Sequence, residues 1–422
     1  MKVMEVLGGG RYRCFYAGAH YEVFAPSAAS LSVGDLVMAR VVRKAGQLFV
    51  PKVAAGAFII GCFGRNSATK KADVWQRSSA GAWNLLASLG GGVPEDRQFT
   101  YGFWWHAKSK FYLCSADNES VAESDIYELN LTTGGLTALG LTATMNPGGA
   151  HRDNRIVAGC IFGDNFYLVG KRYQTIEGSR EVIYQFTGTA LTVVDNQGYG
   201  SGHEEMGICT DGTTIYSTMN VTKIRKSTDG TTWSDDQTFN PITDIYPYGR
   251  MVYNLASSKL QVGAGDGAPS PDDAAIFQRN GSWAVDQLLN GGTANRENIY
   301  SQGFHYASGA TIPIWQYALN IDTGLGARVF QRAATGGTFA LETDLPAIIS
   351  GASGAGKAFA SVDGKILFFG NQSSDAIWKV FSRAGDSGIW TIEASFTNAV
   401  LGSPFDIYGL FEVGLNFSPD RR

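Results

Sequence analysis

The chain predicts an all-β fold in which similar small sheets repeat around a ring. Three observations predict it. Short alternating or apolar runs are punctuated by Gly, Asn and Asp turns, the pattern of half-buried and buried strands. Apolar residues make up 44% and charged residues 17%, with 53 glycines in 422 residues, which suits a turn-rich, packed β protein rather than a disordered one. Above all, one outline recurs seven times: a strand, a tight glycine turn, and a large residue on the returning strand.

The clearest copy is Ser227–Trp233, S-T-D-G-T-T-W, preceded by the strand-like Lys223-Ile224-Arg225. Asp229 can accept backbone N–H bonds and Gly230 tolerates positive φ. The weaker copies begin at Val74-Trp75-Gln76-Arg77, Ile126–Leu129, Val182–Gln185, Ile276-Phe277-Gln278-Arg279, Val329-Phe330-Gln331-Arg332 and Ile377–Val380. Their turn glycines, Gly81, Gly135, Gly188, Gly230, Gly281, Gly337 and Gly388, are spaced by 54, 53, 42, 51, 56 and 51 residues. Units of that length made of short strands indicate a β-propeller.

A second column supports the count. Gly102, Gly159, Gly207, Gly249, Gly303, Gly356 and Gly409 each interrupt a strand. Glycine inside a strand marks close approach of another backbone, as expected where inner strands crowd a central channel. The first unit lacks such a strand upstream, and the last glycine strand has no hairpin after it. Residues 405–415 are therefore expected to supply the innermost strand of the first sheet, closing the ring without open edges. The expected fold is a seven-bladed propeller over residues 55–422.

Residues 1–54 differ. Arg11–Tyr16, His20–Ala25, Asp35–Val42 and Gln47–Val53 read as strands packed into few residues, which predicts a small barrel of the OB or SH3-like kind. Seven basic residues there, including Arg11, Arg13, Arg40, Arg43 and Lys44, stand against three acidic ones. The whole chain carries −4, so this basic module, a candidate for docking, precedes an acidic propeller. That balance makes nucleic acid an unexpected partner of the whole chain. No apolar core of a signal peptide opens the sequence, and no run approaches a membrane span. Five cysteines without a C-x-x-C pair read as buried thiols in a reducing compartment, and no cofactor or metal is expected.

Ionisable residues that could do chemistry gather in the segments leading into the glycine strands. They include Glu95, Asp96 and Arg97; His151, Arg152, Asp153 and Arg155; His203, Glu204 and Glu205; Asp244; Arg296 and Glu297; and Asp406. Converging on one end of a channel, they could hold a sugar or an ion. Polar loops are also what solvent exposure alone would produce. Gly351–Lys357 has phosphate-loop spacing, but Ala358 stands where Ser or Thr is needed and a strand follows, not a helix. Gly385-Asp386-Ser387-Gly388 occupies a hairpin turn.

Ser227–Trp233 resembles the Asp-box hairpin of sialidase-type propellers at every motif position. That resemblance would imply an arginine cluster, and Arg97, Arg152 and Arg296 lie on different repeats. The R-I-P phrase of those families is missing, which puts sialidase activity in doubt. The layout, a small basic module before a large acidic β domain, loosely resembles bacteriophage tail proteins. It implies a non-enzymatic virion protein of the tail or baseplate, folded in host cytoplasm and present in multiple copies. Residues 1–54 would dock to other tail proteins, and the propeller would meet a host-surface glycan or protein. The alternative is a carbohydrate hydrolase or lyase acting at the channel mouth.

Overall fold

The structure is a computed structural model. It describes residues 2–8, 11–16, 19–24, 40–41, 48–49, 58–66, 71–78, 80–89, 97–105, 108, 110–117, 125–145, 154–174, 178–198, 206–219, 222–239, 246–265, 274–289, 297–306, 312–322, 326–342, 359–362, 364–372, 377–384, 389–397 and 410–413. The chain divides into two compact units, Met1–Ala57 with Val413–Asn416, and Phe58–Glu412 with Phe417–Arg422.

The first unit carries β1 (Lys2–Gly8), β2 (Arg11–Tyr16), β3 (Ala19–Phe24), β4 (Arg40–Val41) and β5 (Leu48–Phe49). They form one sheet in the order β1-β2-β3-β5-β4, parallel only between β3 and β5. Arg13 stands in register with Glu5 on one side and Glu22 on the other. Arg11 shares β2 with it and Arg40 opens β4, while Arg43 and Lys44 lie outside the described residues.

The second unit is the propeller. Its first repeat holds β6 (Phe58–Asn66), β7 (Lys71–Arg77) and β8 (Trp83–Leu89). The second holds β9 (Arg97–Trp105), β10 (Lys110–Asp117), β11 (Ile126–Leu129) and β12 (Leu136–Ala138), followed by one helical turn, α1 (Thr142–Met145). The third holds β13 (Arg155–Phe162), β14 (Asn165–Gln174), β15 (Gly178–Phe186) and β16 (Leu191–Gly198). The fourth holds β17 (Ile208–Thr210), β18 (Ile215–Met219), β19 (Lys223–Ser227) and β20 (Ser234–Thr238). The fifth holds β21 (Tyr246–Asn254), β22 (Lys259–Gly265), β23 (Ala275–Asn280) and β24 (Ser282–Leu288). The sixth holds β25 (Glu297–His305), β26 (Trp315–Asp322), β27 (Gly326–Ala333) and β28 (Ala340–Leu341). The seventh holds β29 (Phe359–Val362), β30 (Lys365–Gln372), β31 (Ile377–Ala384) and β32 (Thr391–Thr397), and β33 (Leu410–Val413) comes last.

Each repeat is an antiparallel meander. Its first strand lies innermost, and β9, β13, β17, β21, β25 and β29 each lie against the next. The strand β33 takes the place beside β6, giving the order β33-β6-β7-β8. The burial pattern follows position. Inner strands are covered on both faces and read as apolar runs, as in Ile156-Val157-Ala158-Gly159-Cys160, all buried. Outermost strands are mostly wet, as in β20, Ser-Asp-Asp-Gln-Thr. Crowding near the axis is real: a Cβ on Gly303 would lie 2.2 Å from the Phe359 Cβ of the next repeat.

The count of seven blades is corrected to six. Five sheets have four strands, but the fifth and sixth repeats share one of eight, joined by pairing of Gly265 in β22 with Asn298 in β25. Away from that bridge a buried polar network ties the same two repeats. Gln316 donates to Gln261 at 2.6 Å and to Gln302 at 2.9 Å, and its carbonyl accepts from Arg332 Nε at 3.0 Å. Asn254 Nδ2 donates to the Ala334 carbonyl at 2.8 Å. Burying these groups is tolerated because they satisfy one another.

Neighbouring repeats are also clasped at the rim. Between third and fourth strands a register shift leaves one residue of the outer strand unpaired, a β-bulge. The extra residue is Asp236 in β20, Asp286 in β24 and Glu393 in β32. Each of these carboxylates meets an arginine of the following repeat. Arg279 Nε donates to Asp236 at 3.1 Å, Arg332 Nη1 lies 2.6 Å from Asp286, and Arg77 Nη2 donates to Glu393 at 2.8 Å. The hairpin tryptophans join them: Trp283 Nε1 donates to Asp236 and Trp83 Nε1 to Glu393. Arg225 with Asp195 and Arg383 with Glu342 continue the series. The Arg77–Glu393 clasp links the first and seventh repeats, beside Trp75 and Phe396 in edge-on contact at 5.2 Å.

The Ser227–Trp233 turn is hydrogen-bonded throughout. Asp229 Oδ1 accepts from the Thr231 and Thr232 N–H groups, both at 2.7 Å, and Ser227 Oγ accepts from the Gly230 N–H at 2.8 Å. Trp233 Nε1 donates to the Gly230 carbonyl at 3.3 Å. Gly230 has φ +76° and packs on the third repeat, so that a Cβ would lie 1.9 Å from the Tyr167 hydroxyl. Gly281 has φ +80° with no neighbour within 4 Å. Gly281→Ala should therefore lose only the left-handed backbone preference, about 1–2 kcal/mol. Gly230→Ala should lose about 3 kcal/mol because it adds overpacking. Urea unfolding of the two variants checks the difference.

Acid should loosen the clasps. Burial works against the Asp236 charge, yet hydrogen bonds from Arg279, Lys226 and Trp283 hold its carboxyl below the usual value. A carboxyl lowered on folding adds stability that is complete above its unfolded pKa, about 4. That stability is lost as pH falls through the folded value. Wild-type urea midpoints should drop below pH 4, with a shallower drop for Asp236→Asn.

Candidate functional site

The strands set one end of the ring apart: the end where the inner strands begin. Arg97, Arg155 and Glu297 are the first residues of β9, β13 and β25. Tyr246 holds the same place in β21. In three of these strands a bulge follows within a few residues, at Thr100, Val157 and Tyr300, where pairing with the second strand skips a residue. Bulges at such places re-aim side chains and are common beside active sites. Glu95, Arg152, His203, Glu204, Asp244, Arg296 and Asp406 lie outside the described residues, in the segments leading to this end.

The third repeat carries the densest group of described charges there. Arg155 pairs in register with Lys171, Lys171 with Glu181, and Glu181 with Gln197, one row across four strands. A cross-strand row shares one face of the sheet. Arg155, Lys171 and Glu181 are 7%, 5% and 1% exposed. On the same face, at alternate positions, Tyr167, Val169 and Ile183 pack against Met206, Ile208, Ile215 and Met219 of the fourth repeat. The charged row thus caps the apolar interface between third and fourth repeats.

The sequence singled out Arg155 but missed Lys171 and Glu181. They sit inside strands rather than loops. Their signal is a charge in phase with the buried positions of an otherwise apolar face: Tyr167, Val169, then Lys171. The opposite face carries Arg172 and Arg180 at half-buried positions. Arg172 hydrogen-bonds Tyr184, whose hydroxyl burial pushes far above the ordinary phenol range.

Other reactive groups are quiet. Cys114, Cys160 and Cys209 are buried free thiols. Burial, and then the Asp125 charge, drives the Cys114 thiol well above its usual pKa. Asp125 itself accepts from the Ile126, Gly140 and Leu141 N–H groups, a structural role. Among the described residues no group of three or more His, Cys, Asp or Glu could hold a metal, and no helix could cross a membrane. Residues 351–357 and 385–388 lie outside the described residues.

Glu181 is 1% exposed and pairs in register with the buried Lys171, so its charge should matter to the fold. Glu181→Gln should lower the unfolding free energy by about 3 kcal/mol, the scale for breaking one partner of a buried ion group. Chemical denaturation monitored by tryptophan fluorescence checks it.

No family model matches this chain, and no curated protein matches it in sequence. Solved structures do resemble it. A proposed 6-phosphogluconolactonase from Bacteroides uniformis aligns with TM-score 0.57 at 13% identity, over 85% of this chain and 99% of its own. A counterpart from Bacteroides fragilis gives TM-score 0.52 at 14% identity, over 85% and 98%. A periplasmic gluconolactonase from Pseudomonas aeruginosa gives 0.55 at 13% identity, over 86% and 99%. These similar structures are sugar-lactonase propellers rather than phage proteins, and they overturn the virion tail or baseplate reading. That reading rested on layout and composition, which report turn-rich β folding and not use. At such identities the likeness establishes the fold: the chain is an all-β propeller of the architecture that sugar lactonases share.

Proposed function

We propose that this propeller hydrolyses the ring ester of a sugar lactone at the end where its inner strands begin. The observation that carries the reading is the buried row Arg155–Lys171–Glu181 at that end. Charges are expensive to bury and seldom placed under an apolar interface without use. The near full-length likeness to a gluconolactonase supports the choice of substrate class.

In lactone hydrolysis a water adds to the ring carbonyl, the carbonyl oxygen becomes an oxyanion, and the C–O ring bond then breaks. The water proton leaves to a base, and the departing ring oxygen takes a proton. Arg155 and Lys171 supply fixed positive charge for the oxyanion in a drier setting than bulk water. Our choice for the base is His203 or Glu204, which lie in sequence between β16 and β17. The Ser227–Trp233 hairpin we read as an Asp-box brace: its serine and aspartate are engaged with its own backbone, which leaves them out of the chemistry.

The test is acid release from D-glucono-1,5-lactone and its 6-phosphate, followed by a pH indicator against the spontaneous rate. Wild type should accelerate one of them. Arg155→Ala should lower kcat/KM by roughly 10²–10³, and Glu204→Gln by about 10². No acceleration of either lactone by wild-type protein sinks the reading.

A further inference from the structure

We infer that the rim of the ring opens first at the joint between the sixth and seventh repeats, where one arm of the clasp grips nothing. The inference is independent of the lactonase reading. At the joint of the fourth and fifth repeats, Arg279 Nε and Trp283 Nε1 both donate to Asp236, at 3.1 and 2.8 Å. At the joint of the seventh and first, Arg77 Nη2 and Trp83 Nε1 both donate to Glu393, at 2.8 and 3.1 Å. At the joint of the sixth and seventh, Arg383 Nη1 donates to Glu342, but Trp390 Nε1 meets no acceptor. Trp390 is 4% exposed, so bulk water does not reach it while the joint is closed. A second buried donor there, Gln331 Nε2, also meets no acceptor, while its own carbonyl accepts from Arg383 at 3.4 Å.

The free energy of opening therefore differs between joints. When a matched joint opens, each arm exchanges a hydrogen bond within the protein for one to water. When this joint opens, the Trp390 and Gln331 donors break no bond and gain water as an acceptor. That removes the desolvation cost they bear in the closed state. The surroundings hold less firmly here too. The outer strand of the sixth repeat, β28, has two residues, against seven in β24 and seven in β32. It meets β27 only through Phe330 and Gln331. Leu341, beside Glu342, is exposed, as are Ile389 and Ile392 around Trp390. Apolar side chains that stay wet contribute little to holding one repeat on the next. The fifth and sixth repeats, by contrast, are tied by the Gly265–Asn298 bridge. Gln287 adds a second tie, since its amide pairs with both the N–H and the carbonyl of Phe339, at 2.7 and 3.2 Å.

The experiment is hydrogen exchange of the tryptophan indole N–H groups, followed signal by signal by NMR on the full chain. The Trp390 indole should exchange faster than those of Trp283 and Trp83, by roughly tenfold. A Trp390 signal that does not exchange first of the three overturns the inference. Stability supplies a second reading, because two of the sites are matched. Trp283 and Trp390 are both buried, and each meets a tyrosine of the preceding repeat edge-on, Tyr216 at 6.3 Å and Tyr317 at 6.1 Å. Replacement by phenylalanine removes the same atoms from each, so the difference between the variants isolates the N–H. Trp283→Phe should lower the urea midpoint more than Trp390→Phe, since it alone loses a bond to a carboxylate. An equal or larger loss in Trp390→Phe means that this N–H has an acceptor in solution, and it overturns the inference. If either variant fails to fold, as near-UV circular dichroism reports, exchange in the wild-type protein decides alone.

Discussion

The carboxylate at the outer-strand bulge is the contact on which the rim of the ring depends. Near the axis, strands are forced together and buried on both faces, so packing alone aligns them. At the rim, β20, β24 and β32 are mostly exposed and bury little apolar surface. Hydrophobic contact there is too small to fix one repeat against the next. A bulge solves the geometry, because the extra residue has no partner across the strand pair and its side chain is free to leave the regular alternation. Asp236, Asp286 and Glu393 use that freedom to reach the next repeat's arginine. Exposed ion pairs are worth little. These are different because Asp236, Arg332 and Arg77 are 6%, 4% and 3% exposed. Loss of one partner would strand a desolvated charge, which is costlier than the net worth of the pair.

The same contact explains the sequence repeat. The arginine before the turn and the tryptophan after it form two arms of one clamp: Arg279 with Trp283, and Arg77 with Trp83, close on a single carboxylate of the preceding repeat. The turn between them brings the arms together, and at Gly230 it is itself pressed against Tyr167 of the preceding repeat. A motif that looks local is therefore selected by a neighbour.

That is also why the sequence was legible only in part. Turn glycines and aromatic residues recur at fixed offsets, so the propeller and its repeats could be read from spacing. The clamp's other half lies in the preceding repeat at a bulge, and a bulge is a property of pairing register that single residues do not announce. In the seventh repeat this hid the frame: Val380-Phe381-Ser382-Arg383, not Ile377–Val380, matches Val329-Phe330-Gln331-Arg332, as Arg383 on Glu342 makes plain. The fusion of two repeats turns on one backbone bridge, Gly265 to Asn298, with no side chain to betray it. At the candidate site Arg155 was visible because it opens a strand. Lys171 and Glu181 were not, because a charge within an apolar run looks like a strand end until register places it in a buried row.

The clasps and the charged row differ in one respect that bears on use. Asp195, Asp236, Asp286, Glu342 and Glu393 are each matched by an arginine across a repeat boundary, so these pairs recur as part of how repeats join. The Arg155–Lys171–Glu181 row occurs in the third repeat, runs across one sheet, and lies at the end where the inner strands start. A ring whose rim is held by side-chain clamps and whose axis is held by packing can carry a charged, costly group at one strand end. Under the proposed function, the stability that group withholds from the fold is what binds and polarises the lactone.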